Sequence, residues 1–273
     1  MKSKRGFYPY AVWMAIFVIV PLGMILYYSF TNAGGSFTFD NFIRIFTSKK
    51  PDYMVILLTS LRIALISTLI CLVLAYPFAY IMSRMTEKRQ RTMNLLIMLP
   101  MWMNFLLRIY AWMMLLEENG LINRLFGLIG FGPIQMINTE GAVIIGMVYN
   151  FLPFMVLPIY SVMAKIEQNL IEASQDLGGN MLQTFRRVIL PLSLPGVITG
   201  ITMVFVPAAS TFVISQSLGN MMMIGDTIEM FFVGTSQNFN IGSALSLILM
   251  VIILISMAIM NHFDKDEDGG NLI

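Results

Sequence analysis

The sequence predicts an all-α, polytopic membrane protein with six transmembrane helices. Three observations predict it. Apolar residues make up 57% of the chain and charged residues only 12%, against about 25% charged in an ordinary soluble domain. The apolar residues gather into six runs near the ~20-residue length that crosses hydrocarbon. The segments between the runs carry Lys and Arg more heavily on one side than on the other, as the positive-inside rule requires.

In chain order the predicted spans are Tyr10–Phe30, Leu57–Met82, Asn94–Leu116, Gly141–Met163, Val197–Gln216 and Ile241–Met260. The first is too long for a signal-peptide core and no small-residue cleavage site follows it, so it reads as an anchor. Lys2, Lys4 and Arg5 precede the first span. Arg84, Lys88, Arg89 and Arg91 follow the second, and Lys165, Arg186 and Arg187 follow the fourth. The opposite side holds Arg44, Lys49, Lys50 and Arg124, with none in the fifth loop. Both termini and the long fourth loop are therefore expected in the cytoplasm. The chain divides into an N-terminal span with its outer loop (1–56), a core of five spans (57–260) and an acidic tail (261–273). The run Asp264–Asp268 reads as a disordered end.

The outer loops are not simply polar. NFIRIF in the first reads as an interfacial helix. LINRLFGLIGFG in the third is too short to span and too apolar for water, so it should lie at the outer surface, packed on the bundle or on a partner. MMMIGDTIEMFF in the fifth reads the same way. Proline occurs within most spans, at Pro21, Pro77, Pro100, Pro153, Pro158 and Pro207. Each removes a backbone donor and favours a kink.

The most structured polar segment is the fourth loop, EASQDLGGNMLQTFRRVILPLSLP from Glu172 to Pro195, within a loop spanning 164–196. Ile166–Leu177 reads as one short helix and Met181–Ile189 as another. Gly178 and Gly179 make the turn between them, and Pro191 ends the second helix or opens the next element. Leu177, Met181, Leu182, Phe185 and Val188 form an apolar set expected along the membrane face. Such a helix–turn–helix is shaped to fit a cleft in another protein.

Composition also excludes several functions. A net charge of +2 is too small for nucleic-acid binding. The single cysteine, Cys71, permits no intrachain disulfide, and the single histidine, His262, cannot anchor a metal or catalytic cluster. No phosphate-binding loop occurs, so any energy for transport would have to come from elsewhere. The 25 methionines read as bundle filler rather than metal ligands.

A few polar groups lie inside the spans. Arg108 sits near the middle of the third, where a charge costs ~2.5–3.5 kcal/mol on insertion scales. It should face the bundle interior, either lining a path or bonding carbonyls of a kinked neighbour. Asn104 is placed one turn before it on the same face, and Tyr110 and Trp112 follow. Tyr149 and Asn150 precede Pro153 in the fourth span. These six make a weakly polar, aromatic candidate path, since aromatic faces attract ammonium groups; packing alone is the other reading. No Asp or Glu occupies the core of a span. Glu117, Glu118, Asp226 and Glu229 are candidate attractors of a cation at the outer mouth.

The fourth loop resembles the cytoplasmic loop of ABC-importer permeases. Glu172, Ala173, Gly178, Val188, Leu190 and Pro191 match its spacing, and Ser174 stands where a second Ala is usual. The resemblance implies a type I ABC importer permease fold, with the five-span core as its permease domain. It also implies an ATPase-coupling loop that includes Glu172 as a polar contact and Gly178 as the turn, with Ala173, Asp176, Arg186, Leu190 and Pro191. LRIYAW at Leu107–Trp112, the run Ala142–Ile166 and the run Leu182–Gly200 further resemble spermidine/putrescine importer permeases, on the side of the PotB-type subunit. The implied machine has a second permease subunit, two cytosolic ATPase subunits and an extracellular substrate-binding protein, set in the bilayer of a bacterial cell. Polyamine is its cargo. ATP and Mg are held by the ATPase partner and no cofactor by this chain.

Two other classes remain open at this point. The same machine with an anion, metal complex, thiamine or amino acid as cargo would give Arg108 a purpose. A self-sufficient channel or secondary transporter often shows midplane acids or duplicated halves, and the sequence displays neither. An intramembrane enzyme would need a nucleophile–base pair or a metal set, and none is apparent.

Overall fold

The computed structural model describes residues 4–48, 51–130, 132–234 and 237–268. Lys2, Lys49 and Lys50 of the orientation argument, Phe131 and the tail after Asp268 lie outside the described residues. Among the described residues, five helices are long and apolar enough to cross a membrane: Pro9–Ser29, Tyr53–Ser83, Glu140–Met163, Met181–Ser210 and Phe239–Met260. Glu87–Trp102 and Phe105–Leu128 meet at 90° across a short break and, counted as one bent span, make a sixth.

The first crossing comprises α1 (Lys4–Met14), a π-helical turn (Ala15–Ile19) and α2 (Val20–Ser29). The π turn lies just before Pro21. The Val20 N–H reaches back to the Ala15 carbonyl, an i→i+5 bond that absorbs the donor proline lacks. No residue of this crossing's most apolar stretch is buried. Its C-terminal end is tied down by Asn240, whose Nδ2 donates to the Tyr28 carbonyl at 3.1 Å and the Thr31 carbonyl at 2.6 Å.

The first loop then folds over four phenylalanines, Phe30, Phe37, Phe39 and Phe42, with neighbouring ring centroids 5.1 to 5.9 Å apart. NFIRIF lies in helix α3 (Asp40–Thr47), with Ile45 buried and Ile43 and Phe46 exposed. The core is built from α4 (Tyr53–Ser83), α8 (Glu140–Met163) and α11 (Leu190–Ser210). Small residues let these backbones approach. Ala64, Cys71, Ala75 and Ala79 of α4 are fully buried, and Gly146, Gly196 and Gly200 lie where an added Cβ would strike a neighbouring helix.

The third predicted span is not one helix. α5 (Glu87–Trp102) stops after Pro100, and α6 (Phe105–Leu116) starts afresh with Asn104 as its cap. Asn104 Oδ1 accepts from the Leu106 N–H at 2.9 Å and the Leu107 N–H at 3.4 Å. A proline that removes a donor and an asparagine that satisfies a new helix start together favour the break. α7 (Leu121–Leu128) is the surface helix expected in the third loop, anchored by buried Asn123.

The fourth loop holds α9 (Gln168–Asp176) and α10 (Met181–Thr184). Pro191 does not stop the second helix. α10, a π turn (Phe185–Ile189) and α11 run on as one helix from Met181 to Ser210. The Leu190 N–H bonds to the Phe185 carbonyl, the same device that precedes Pro21. The fifth crossing therefore starts well before the predicted Val197 and breaks at Thr211–Phe212, ahead of α12 (Val213–Leu218).

The fifth loop forms α13 (Ile224–Phe232), packed on the bundle with Ile224, Gly225, Asp226, Thr227 and Phe231 buried. Its first N–H is held by Ser60 of α4, at 2.8 Å. The last helix, α14 (Phe239–Asp268), extends through the acidic run. The expected disordered end is thus helical at Asp264–Asp268; no Gly or Pro interrupts the sequence between Gly242 and Gly269.

Candidate functional site

The coupling-loop candidates lie on two short helices and the glycine turn between them. Gly178 has φ +83°, a left-handed conformation that costs other residues a clash. The turn is closed by N–H bonds from Gly178 to the Gln175 carbonyl at 2.8 Å and from Gly179 to the Ser174 carbonyl at 3.0 Å. Asn180 and Gln183 then cap α10 reciprocally. Ser174, the position that departs from the usual pattern, has a role of its own. Its hydroxyl meets that of Thr184 at 3.0 Å and ties the two helices together. Ala173, Gly178, Val188 and Pro191 all line one concavity of about 820 Å³. Small side chains at Ala173 and Gly178 leave that space free.

Glu172, Asp176, Arg186 and Arg187 are exposed and Leu190 is half-buried. Leu177, Met181 and Leu182 are 90%, 73% and 74% exposed. Phe185 departs from that apolar set. It turns inward to Tyr76 with ring centroids 5.7 Å apart and packs on the cluster Ile166, Ile171 and Ile189. The Tyr76 hydroxyl meets Ser193 Oγ at 2.8 Å, and Arg84 donates to Gln168 Oε1 at 3.3 Å while covering the Tyr80 ring. The loop is thereby joined to α4 by aromatic and polar contacts.

The path candidates are only partly gathered. Trp112 and Tyr149 meet edge-on with centroids 5.3 Å apart. Asn150 is buried and donates to the Gly146 carbonyl at 2.8 Å, leaving Oδ1 without a partner. Arg108 is 8% exposed, with its guanidinium over the Phe105 ring at 5.7 Å. It belongs to the first turn of α6 rather than the middle of a span, and Nε and Nη1 are buried without partners. Asn104 is the exposed cap at the break, so it does not share a helical face with Arg108. Tyr110, 48% exposed, points away from the interior.

The four candidate mouth acids do not form one group. Glu117 and Glu118 are exposed beyond α6. Asp226 is buried: Oδ2 accepts from the Ser215 hydroxyl and the Met223 N–H, both at 2.7 Å. Burial pushes its carboxyl above the ordinary value, opposed by those bonds and by Gln216, while Glu229 pushes it further up. Oδ1 has no partner. Glu229 is half-buried and lines a separate cavity.

One pair escaped the sequence reading. Arg62 of α4 and Glu140 of α8 are bridged at 2.6 Å. The signal was present as an arginine nine residues into an apolar span and a glutamate at the head of another.

Residues 75–268 match the family described as binding-protein-dependent transport system inner membrane component. This chain belongs to that family. It is a multi-pass membrane protein and a non-enzymatic transport subunit. It is 38% identical over 263 residues to the spermidine/putrescine transport system permease protein PotB of Haemophilus influenzae, covering 93% of this chain and 91% of the relative. It is 38% identical over 250 residues to PotB of Escherichia coli, covering 88% and 90%. The inner membrane ABC transporter permease protein YdcU of Escherichia coli is 26% identical over 294 residues, covering 96% and 94%. Among solved structures, a bacterial ABC transporter that imports the acidic polysaccharide alginate superposes with a TM-score of 0.81 at 16% identity, over 96% of this chain and 94% of that one. That likeness is one of fold, and the fold is that of an ABC importer permease.

Proposed function

We propose that this chain is one of two permease subunits in an ATP-driven importer of polyamines, spermidine or putrescine. The observation that carries the cargo is the 38% identity, across nine-tenths of the chain, to permeases named for those two amines. The observation that supports the ATP coupling is the loop itself. Its capped turn, its concavity beside Ala173 and Gly178 and its exposed Leu177 and Leu182 offer a rigid knob for a cleft in a second protein.

In this reading the chain lies in a bacterial cell membrane with both termini and the 164–196 loop in the cytoplasm. Two cytosolic ATPase subunits hold ATP and Mg and grip the loop, with Glu172, Asp176 and Arg186 as polar contacts. Their closure drives the unbroken Met181–Ser210 helix, and the spans rock from inward-open to outward-open. An extracellular binding protein delivers polyamine between this chain and the second permease. Trp112 and Tyr149 line the path, and Glu117, Glu118 and Glu229 draw the cation to its mouth. Hydrolysis resets the arrangement.

The test is ATPase co-purification and uptake with Gly178→Pro and Glu172→Lys. Loss of coupling with the membrane assembly retained is expected. Normal transport by assembled Gly178→Pro importer would contradict the role of the loop. A second reading, an anionic cargo, is favoured by one observation, the buried guanidinium of Arg108 with two unpartnered nitrogens. Competition between labelled spermidine and candidate anions separates the two.

A further inference from the structure

α5 begins with a polar run, Glu87–Thr92, and all of it is exposed except Gln90. Gln90 turns inward, and both ends of its amide are engaged. Nε2 donates to the Ser83 carbonyl at 3.1 Å and to the Met85 carbonyl at 2.9 Å. The last carbonyls of a helix have no partner within it, so α5 caps the end of α4. Oε1 accepts from the Tyr160 hydroxyl of α8 at 3.0 Å. One side chain thus joins α4, α5 and α8.

This junction adjoins the 164–196 loop on two sides. Tyr160 stands in the last turn of α8, where the loop begins. Arg84, between Ser83 and Met85, donates to Gln168 Oε1 at the start of α9, at 3.3 Å, and lies over the Tyr80 ring. Tyr80 in turn packs on the loop's cluster of Ile166, Ile171 and Ile189. At its other end α5 meets the next helix at 90°, and α6 holds Trp112 against Tyr149 of the same α8. A paired polar network rigidifies the elements it joins, so α5 has to follow the corner to which Gln90 fixes it. The loop therefore has two stiff exits, the Met181–Ser210 helix and the α4–α5 corner.

We propose, resting on the coupling role of the loop given above, that Gln90 is a positioning residue of the coupling machinery. Its bond to Tyr160 and its grip on the end of α4 carry motion of the loop into the bent α5–α6 pair, beside the direct route through α11. Leucine at position 90 keeps the helix but leaves the Ser83 and Met85 carbonyls and the Tyr160 hydroxyl without this partner. α5 then lags behind the loop while α11 still follows it.

The experiment uses the importer assembled in proteoliposomes with its second permease, ATPases and delivery protein, the partner subunits lacking cysteine. An environment-sensitive thiol fluorophore is attached at Leu107→Cys of α6 or, separately, at Met203→Cys of α11, both exposed positions. Cys71 is fully buried and does not compete. ATP with vanadate traps the closed ATPase, and emission should shift at both positions in the parent. Gln90→Leu and Tyr160→Phe should each remove most of the shift at 107 and keep that at 203, and the double variant should match Gln90→Leu. Thr92→Val, at an exposed neighbour, should keep both shifts. Tyr160→Phe removes one oxygen atom and carries the test should Gln90→Leu fail to assemble. An unchanged shift at 107 in Tyr160→Phe, or equal loss at 107 and 203, as a merely structural role would give, overturns the proposal. A parent that shifts at 203 alone overturns the second route, and one that shifts at neither position overturns the loop's coupling role with it. Spermidine import should fall about fivefold in Gln90→Leu, the scale of one net hydrogen bond, with ATP hydrolysis retained. Absence of import by the parent overturns the polyamine reading and leaves the fluorescence result standing.

Discussion

Gly196 and Gly200 of α11 pack against α8 with a four-residue spacing, yet the two contacts differ in kind. A Cβ at Gly196 would lie 2.9 Å from the Pro158 carbonyl oxygen, 3.0 Å from Ile159 Cα and 3.1 Å from Val162 Cβ. Those atoms belong to the α8 backbone or its first side-chain atom and cannot step aside without moving the helix. At Gly200 the nearest atom is the Met155 sulfur at 2.8 Å, the far part of a flexible side chain, while the backbone is further off than at Gly196, with the Met155 carbonyl oxygen at 3.2 Å and its Cα at 3.5 Å. Overpacking costs ~1–3 kcal/mol where the neighbour is rigid. Replacing a helical glycine by alanine returns ~1 kcal/mol of propensity. Gly196→Ala should therefore lose about 1 kcal/mol of stability, and Gly200→Ala should change it by less than about 0.5 kcal/mol. Gly196→Leu should prevent the α8–α11 pairing altogether. Reversible unfolding of the purified protein in mixed micelles measures all three. A Gly196→Ala protein as stable as the parent, or a Gly200→Ala protein weaker than Gly196→Ala, would refute the close-approach argument.

Gly178→Ala places a side chain at φ +83° and should strain the turn by ~1–2 kcal/mol; limited proteolysis should cut the 164–196 loop faster while the spans stay folded. Arg62→Gln and Glu140→Gln should each cost only ~0.2–1 kcal/mol, because the pair is 57% and 35% exposed, and the double variant should cost no more than the larger single one when unfolding is compared in a double-mutant cycle. Asp226 holds its proton more tightly in the folded state than its ordinary value of 3.8 implies. Its contribution to stability is thus greatest at low pH and declines as pH rises from that value through the folded one; unfolding midpoints against pH should show this decline in the parent and less of it in Asp226→Asn.

The spans that read most clearly in the sequence are those whose apolar runs coincide with uninterrupted helix, such as Tyr53–Ser83 and Glu140–Met163. Where two local signals compete, the sequence alone does not decide. Asn94–Leu116 looks like one apolar run, but Pro100 and the capping preference of Asn104 divide it, and the division moves Arg108 from mid-span to a helix start. Pro191 looks like a stop signal, yet a π turn carries the chain through it, so the fourth loop is continuous with a crossing. Burial of α13 depends on Ser60 of α4, 164 positions away in sequence, and periodicity within the fifth loop carries no trace of that contact. The fourth loop was legible because its logic is local: a left-handed glycine, an asparagine cap and small residues around a concavity. The candidate path was less legible because Trp112, Tyr149 and Arg108 depend on how α6 leans against α8 after the break.

The most direct measurement is uptake of labelled spermidine by cells lacking this gene, with and without the gene restored, in a strain without any other polyamine importer. The account predicts restored uptake that requires ATP, is inhibited by putrescine and is lost with Gly178→Pro. Equal uptake with and without the gene would contradict polyamine import by this chain and would make an anion facing Arg108 the next cargo to test.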